Sequence, residues 1–241
     1  MTFVILGATA LVWILVQGAG FDARLLSSVC SYGLVPAEIT GLRPIGFAVP
    51  LGDGLACVVD DNPINWLTPV ITIFLHGGWG HVIGNLWFFW VFGNNIEDSM
   101  GPGRFLVFYL LCGVLASTAH IAGSPGSPVP TVGASGAVSG IMGAYLMLYP
   151  RARVNLLFLF VFIIRVIPVP AWAALLWWFA WQLIAALPAL QSSNDLSGGI
   201  AFGAHIGGFV AGVALIKLFT RPELMGQRRL RHNQAYPDRQ W

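Results

Sequence analysis

Two residues with catalytic potential interrupt long apolar stretches of this sequence. Ser135 begins one such stretch, and His205 lies within another. A serine hydroxyl becomes a nucleophile when a base within about 3 Å accepts its proton, and His205 is the candidate general base. Because no aspartate or glutamate lies in an apolar stretch near them, the sequence predicts a catalytic dyad rather than a triad.

A second pair of polar residues could stabilise the negative charge that such a nucleophile creates. His81 and Asn85 are four residues apart and would share one face of a helix. Together with the backbone N–H of Ser135, their side chains are candidate hydrogen-bond donors to the oxyanion of a tetrahedral intermediate. Gly133 and Gly136 flank the serine, and their lack of side chains would let a substrate backbone approach it.

Composition indicates which kind of protein carries these residues. Of the 241 residues, 56% are hydrophobic and only 9% are charged, whereas a soluble domain has about 25% charged residues. So few charges cannot cover a soluble fold, and the 16 Phe and 10 Trp exclude a disordered chain. We therefore predict an integral membrane protein surrounded by the lipid bilayer. We expect no nucleic-acid partner, because no basic stripe lies outside the C-terminal tail.

Six apolar stretches are long enough to cross a bilayer, for which a helix needs about 20 residues. They are residues 2–21, 79–95, 105–122, 133–149, 171–189 and 199–219. A cleaved signal peptide is the alternative for the first of them, but no positive charge precedes it. The apolar run at 155–164 lies between Arg153 and Arg165. As a helix this segment would rise only about 16 Å, so we predict that it is interfacial.

Charge gives the orientation of these spans. With the N-terminus inside, ten of the twelve cations fall inside and only Arg24 and Arg43 fall outside, as the positive-inside rule demands. The sequence thus predicts an all-α, polytopic membrane protein with a six-helix bundle over residues 1–220. A long outer loop at 22–76 and a short basic cytoplasmic tail at 221–241 complete the domain organisation. We expect a bacterial inner membrane, with both termini in the cytoplasm.

Depth in the bilayer relates the four polar residues to one another. The three spans that carry them run in the same direction, from outside to inside. Counted from the inner ends of these spans, Ser135, His205, His81 and Asn85 lie at about 18–24 Å, at 1.5 Å per residue. All four are therefore predicted at one level, in the outer part of the membrane.

Small residues predict which spans pack together. Glycines four residues apart let helix backbones approach closely in lipid. They are Gly136 and Gly140 in one span, and Gly203, Gly207, Gly208 and Gly212 in another. We predict that these two spans meet through Gly140, Gly208 and Gly212 and that the contact brings Ser135 near His205.

Each polar residue also has a simpler interpretation. A lone serine or histidine in a membrane helix commonly just hydrogen-bonds a neighbouring helix. His76, His81 and His120 could be metal ligands, but no cysteine or acidic residue joins them at a regular spacing, so we predict no metal and no cofactor. Polar groups at mid-depth also mark transport paths, but the spans lack the paired charges that a transporter would need.

Four motifs of this sequence resemble those of the rhomboid intramembrane serine proteases. They are His76-Gly-Gly-Trp-Gly-His81-Val-Ile-Gly-Asn85, Glu97-Asp-Ser-Met-Gly101, Gly133-Ala-Ser135-Gly136 and Ala204-His205-x-x-Gly208-x-x-x-Gly212. The resemblance implies a six-helix bundle with a water-accessible cavity open to the outside. It also implies Ser135 as nucleophile, His205 as general base, and His81 and Asn85 as oxyanion stabilisers. Transmembrane proteins would be the substrates, and the alternative is an inactive rhomboid-like protein that only binds membrane clients.

Two positions depart from the family's pattern. Members often place an aromatic ring four residues after the nucleophile, where it stacks on the catalytic histidine, and here that position is Ser139. Many members carry a Trp-Arg pair in the first outer loop, where this chain has Trp66-Leu67-Thr68. Neither departure removes a catalytic group.

The outer loop also contains Cys30 and Cys57. In an oxidising compartment a disulfide between them would persist, and closing a loop of about 27 residues would contribute roughly 3 kcal/mol. Two free, buried thiols are the alternative, because a bridge requires the Cα atoms to lie within about 7 Å.

Overall fold

The computed structural model describes residues 1–52, 55–160, 163–191 and 201–226. Helices α1 to α9 are Thr2–Leu11, Asp22–Tyr32, Pro36–Thr40, Thr68–Ile71, Trp79–Met100, Pro102–Gly123, Ser135–Leu148, Ala171–Gln191 and Phe202–Phe219. Strands β1 to β4 are Ala48–Gly52, Leu55–Val58, Arg153–Phe160 and Ile163–Pro170. A π-helical turn at Val12–Val16 extends α1, and short 3₁₀ turns lie at Gly18–Gly20, Pro63–Leu67 and Thr72–Phe74.

A helix occupies each of the six stretches that the sequence predicts to be spans: α1 with its π-helical turn, then α5 to α9. Among the described residues, α6 and α9 are long and apolar enough to cross a membrane. The first helix, α7 and the part of α8 up to Leu187 are shorter apolar helices. Helix α5 has 22 residues but carries Asn94, Asn95, Glu97 and Asp98 in its last turns. The chain is mostly helical. Because only some of these helices are long and apolar enough, the prediction that all six cross the membrane stays a prediction.

The prediction of an all-α fold needs a correction at two antiparallel hairpins. Strand β1 pairs with β2, and β3 pairs with β4 with Arg153 opposite Pro170. The second hairpin contains the segment predicted as interfacial. Its β-branched residues favour extended backbone, and Pro168 and Pro170 cannot stand inside a helix without breaking it.

A covalent bond holds the region predicted as the outer loop, which contains α2 to α4 and the first hairpin. Cys30 of α2 and Cys57 of β2 form a disulfide with their Cα atoms 5.1 Å apart. Of the two alternatives that the sequence leaves open, the bridge is the correct one. Cys112 in α6 is a buried free thiol. The predicted basic tail lies outside the described residues from residue 227 onward.

Helices α7 and α9 cross with their backbones in contact. A Cβ atom added to Gly208 would meet the carbonyl oxygen of Gly136, and one added to Gly212 would meet the carbonyl oxygen of Gly140. We call these four residues the glycine seam. Because no side chain lies between the helices at the seam, the two backbones fix each other's position, and each helix carries one residue of the predicted dyad.

A single added methyl group tests the seam. Gly212→Ala should lower the free energy of unfolding by about 1–3 kcal/mol or more, the range for overpacked cores, because backbone atoms cannot rotate away from the new Cβ. The matched control is Gly7→Ala in α1, where nothing lies within 4 Å of the added Cβ and where Ala is the better helix former. Thermal unfolding in detergent compares the two variants, and an unchanged midpoint for Gly212→Ala would contradict the close approach.

Candidate active site

A strained turn places Ser135 at the beginning of α7. Gly133 has φ +137°, a conformation that residues with side chains rarely adopt, and its N–H donates a 3.0 Å hydrogen bond to the carbonyl of Thr72. Ser135 is then the first residue of α7. The N–H groups of a first helical turn have no intrahelical acceptor and carry partial positive charge. The hydroxyl therefore stands beside free backbone donors.

The base lies directly against the hydroxyl. His205, in the first turns of α9, has its Nε2 atom 2.8 Å from Ser135 Oγ. This is a normal hydrogen-bond distance between the oxygen and the ring nitrogen. The structure thus brings together the two residues that the sequence analysis proposes as a nucleophile and base.

Helix α8 supplies the groups that contact the other side of the His205 ring. Gln182 Oε1 lies 2.7 Å from His205 Nδ1, and the Trp178 ring centroid lies 6.0 Å from the imidazole centroid at a tilt of 38°. Ser139, at the position where many rhomboid proteases carry an aromatic ring, donates to the carbonyl of Ser135 at 2.6 Å. The ring beside the histidine therefore comes from another helix.

Neither Gln182 nor Trp178 is among the site residues predicted from the sequence, because only an acidic residue was expected as a third member of the catalytic unit. A signal was nevertheless present, because Gln182 is the one polar residue between Ala171 and Leu187. Trp178 stands four residues before it, which is one turn of the same helix face.

His81 approaches the serine from α5. Its Nδ1 atom accepts a hydrogen bond from the Gly77 N–H at 3.3 Å, so a neutral His81 ring carries its proton on Nε2. A Cβ atom added to Gly133 would stand 2.8 Å from this Nε2 and 3.5 Å from Ser135 Oγ. Both groups therefore border the same small space above Gly133. Asn85 is buried one turn further along α5, and its Nδ2 donates to the His81 carbonyl at 3.0 Å.

These groups line a cavity of about 690 Å³. The described lining includes Ser135, His205, His81, Asn85 and Gly133, and it contains no aspartate, glutamate, lysine or arginine. Negative charge formed there would meet hydrogen-bond donors and a helix N-terminus rather than a cation. In the part of the chain that the structure describes, no three His, Cys, Asp or Glu residues are grouped to hold a metal ion.

A buried amide holds the loop that leads into α5. Gln17 Oε1 accepts the His76 N–H, and Gln17 Nε2 donates to the His76 carbonyl, both at 2.8 Å. The buried His76 ring packs edge-on against His81 with 5.1 Å between centroids. The end of the first helix thus supports His81. The sequence carries no clear signal for this contact, because a glutamine at the end of a span is unremarkable in a membrane protein.

The fold and the site together define a class: a mostly helical, strongly apolar protein with a hydrogen-bonded serine and histidine in a cavity between helices. The family model described as Rhomboid domain matches residues 64–222, a range that contains α5 to α9 and all four polar residues. The chain belongs to the rhomboid family.

Relatives of this chain occur in several compartments. It is 42% identical over 80 residues to Rhomboid protease GluP of Bacillus subtilis, covering 33% of this chain and 15% of that protein. It is 34% identical over 146 residues to the mitochondrial Rhomboid protein 1 of Saccharomyces cerevisiae, covering 58% and 38%. With the chloroplastic Rhomboid-like protein 11 of Arabidopsis thaliana it shares 28% identity over 169 residues, covering 65% and 53%. The match thus spans at most about half the length of these relatives.

Proposed function

We propose that this protein is an intramembrane serine endopeptidase that cleaves transmembrane segments of membrane proteins. Ser135 is the nucleophile and His205 the general base. The observation that carries the proposal is the 2.8 Å contact between His205 Nε2 and Ser135 Oγ, in a cavity that both residues line. Membership of the rhomboid family supports it, since the Bacillus subtilis relative is named a protease.

In the first step, Ser135 Oγ attacks the carbonyl carbon of the scissile peptide bond while its proton moves to His205 Nε2. The carbonyl oxygen becomes an oxyanion. Asn85, the Nε2–H of His81 and the backbone N–H of Ser135 donate hydrogen bonds to it, and such donors act most strongly where water is excluded. Gly133 leaves a small space beside the hydroxyl and the His81 ring for the substrate. The predicted space at Gly136 is instead filled by Ala116 of α6, so Gly136 serves the packing of α7.

The second half of the reaction returns the enzyme to its starting state. The His205 imidazolium gives its proton to the nitrogen of the leaving chain, the C–N bond breaks, and an ester joins the new C-terminus to Ser135. Water enters from the cavity and loses a proton to His205 as it attacks the ester carbon. Breakdown of this second intermediate releases the carboxylate and returns the proton to Ser135 Oγ.

The proposal includes the six-span topology over residues 1–220 and the cytoplasmic termini. Helix α7 has only 14 residues and would rise about 21 Å, less than the ~30 Å hydrocarbon thickness. Ser135 at its N-terminal end would then lie below the outer surface of the membrane. The disulfide between Cys30 and Cys57 supports an oxidising compartment on the side of the outer loop. The compared relatives come from a bacterium, a mitochondrion and a chloroplast, and a bacterial inner membrane stays our prediction.

A serine-directed covalent probe tests the nucleophile. A fluorophosphonate should label the detergent-solubilised protein at Ser135, and Ser135→Ala and His205→Ala should both lose the label. The matched control is Ser117→Ala, because Ser117 is a buried serine that lines the same cavity. Ser117→Ala should label like the unmodified protein. Absence of labelling in the folded wild-type protein would contradict the enzyme and favour a protein that only binds membrane clients.

A further inference from the structure

Gln182 contacts His205 at the position where a catalytic triad has its acid. Its Oε1 lies 2.7 Å from His205 Nδ1, and the opposite ring nitrogen lies 2.8 Å from Ser135 Oγ. The glutamine side chain is buried, with 7% of its surface exposed. A serine, a histidine and an amide from three different helices, α7, α9 and α8, therefore form one continuous row of hydrogen-bonding groups.

The chemistry of the base requires a partner at Nδ1. To accept the serine proton, Nε2 must present a lone pair, so the neutral ring must carry its proton on Nδ1. A buried N–H without an acceptor is costly, and the ring would otherwise protonate on Nε2 and donate to the serine. After proton transfer both ring nitrogens are donors, and Nδ1 needs an acceptor again. The carbonyl end of a glutamine meets this need at both stages.

No acidic group competes for this role among the described residues that line the cavity. Within the described ranges, the titratable groups facing His205 are His81 and His120, and neither is an anion. Trp178 lies one turn before Gln182 on the same face of α8, and its ring is close to the imidazole ring of His205. The Trp178 ring also packs against Phe209, one turn after His205, with 6.1 Å between centroids. Rotation of the imidazole away from the serine is thereby hindered.

We propose that Gln182 is a positioning residue that acts through His205: its Oε1 accepts the Nδ1–H and thereby keeps Nε2 free to act as the base. This inference rests on the proposed function, in which His205 is the general base. The amide is uncharged, so it sets the ring's proton position without placing an anion in the apolar interior. A neutral acceptor therefore takes the position of an acid that burial would make costly.

Two substitutions at Gln182 distinguish the effect of the acceptor oxygen from the effect of side-chain length. Gln182→Met keeps the length but removes the acceptor, and kcat should fall at least about tenfold, which is part of the ~10²–10⁴-fold that general base catalysis contributes. KM should stay within about twofold, because Gln182 acts through His205 rather than on the substrate. Gln182→Glu keeps an acceptor oxygen, so kcat should lie clearly above that of Gln182→Met, although burial makes the carboxylate more costly than the native amide.

The pH dependence of kcat is a second measurement, and a change in packing alone would not shift it. The carboxylate in Gln182→Glu stabilises the imidazolium, so the acid limb of the kcat profile should shift to higher pH. The matched control is Trp181→Phe, a neighbour on α8 with 58% of its surface exposed. It should leave kcat and the profile unchanged. Equal kcat in wild type and Gln182→Met, or a Glu variant worse than the Met variant, would overturn the proposal.

A spectroscopic measurement separates this inference from the proposed function. In ¹⁵N spectra of the full chain in detergent, neutral His205 should show its proton on Nδ1, and Gln182→Met should shift the population towards Nε2–H. His205→Ala assigns the signal. The same tautomer in wild type and Gln182→Met would overturn the role of Gln182, whatever the activity. Cleavage that persists in Ser135→Ala would instead overturn the proposed function and leave the tautomer result standing.

Discussion

Cleavage of a single-span substrate in liposomes should fall to background when Ser135 is replaced by alanine. The expected loss in kcat is about 10⁴–10⁶-fold, as for other serine hydrolases that lose a member of the catalytic unit. The physical reason is that no second hydroxyl of the described cavity is placed against His205 Nε2, which contacts Ser135 Oγ at 2.8 Å. His205→Ala should have an effect of the same order, because an unactivated hydroxyl is a weak nucleophile.

The double variant is the internal control. Residues that act as one unit are not additive, so Ser135→Ala with His205→Ala should be no slower than either single variant. Ser117→Ala, in the same cavity, should cleave at the wild-type rate. Thermal midpoints close to that of the wild type would show that the variants are folded. Substantial residual cleavage in folded Ser135→Ala would mean that the reaction uses another nucleophile.

The oxyanion donors should produce the next largest effect. Asn85→Ala and His81→Ala should each lower kcat by about 10²–10³-fold, the usual loss when one donor is removed. KM should change little, because the oxyanion exists only in the transition state and the intermediates. Unlike Ser135→Ala, each variant should keep measurable turnover, since the other donors remain in place. Initial rates over a range of substrate density in the membrane give both constants.

The matched control for these donors lies on the same helix. Ile83 stands between the two residues on α5, and 53% of its surface is exposed, so it faces away from the cavity. Ile83→Ala should leave kcat unchanged. If Asn85→Ala and His81→Ala both kept wild-type kinetics, the two residues would only support the helix packing, as their mutual hydrogen bond also allows.

The polar residues of the site could be found from the sequence because polar groups are rare in apolar helices and therefore stand out. Helix rise and the direction of the spans predict a common level in the membrane for these residues, and that level stays a prediction. The structure places Ser135, His205, His81 and Asn85 along one cavity. The contact between α7 and α9 could be predicted only in part from the glycines. Gly208 and Gly212 face α7, whereas a Cβ atom on Gly207 would meet Ala119 of α6.

Other features could not be predicted, for physical reasons. Apart from Gln182, helix α8 is apolar on every face from Ala171 to Leu187, so no hydrophobic periodicity shows which side of the helix meets His205. A short apolar run such as that in β3 fits a strand or a buried helix equally well, and only its pairing with β4 decides. The contact of Gln17 with His76 joins residues 59 positions apart, and no local pattern encodes it.

The glycine seam also determines which parts of this sequence can diverge. Where two main chains touch, the distance between the dyad residues depends on backbone shape and not on the choice of apolar side chains nearby. The exposed apolar positions of α9, such as Val210 and Leu218, can therefore exchange one aliphatic residue for another without moving Ser135 relative to His205. No such exchange exists at the four glycines of the seam. An atom added to Gly208 or Gly212 would stand against a carbonyl oxygen of α7, and an atom added to Gly136 or Gly140 would meet a side chain of α6. Substitutions that keep the protein active should therefore accumulate beside these four positions and not at them.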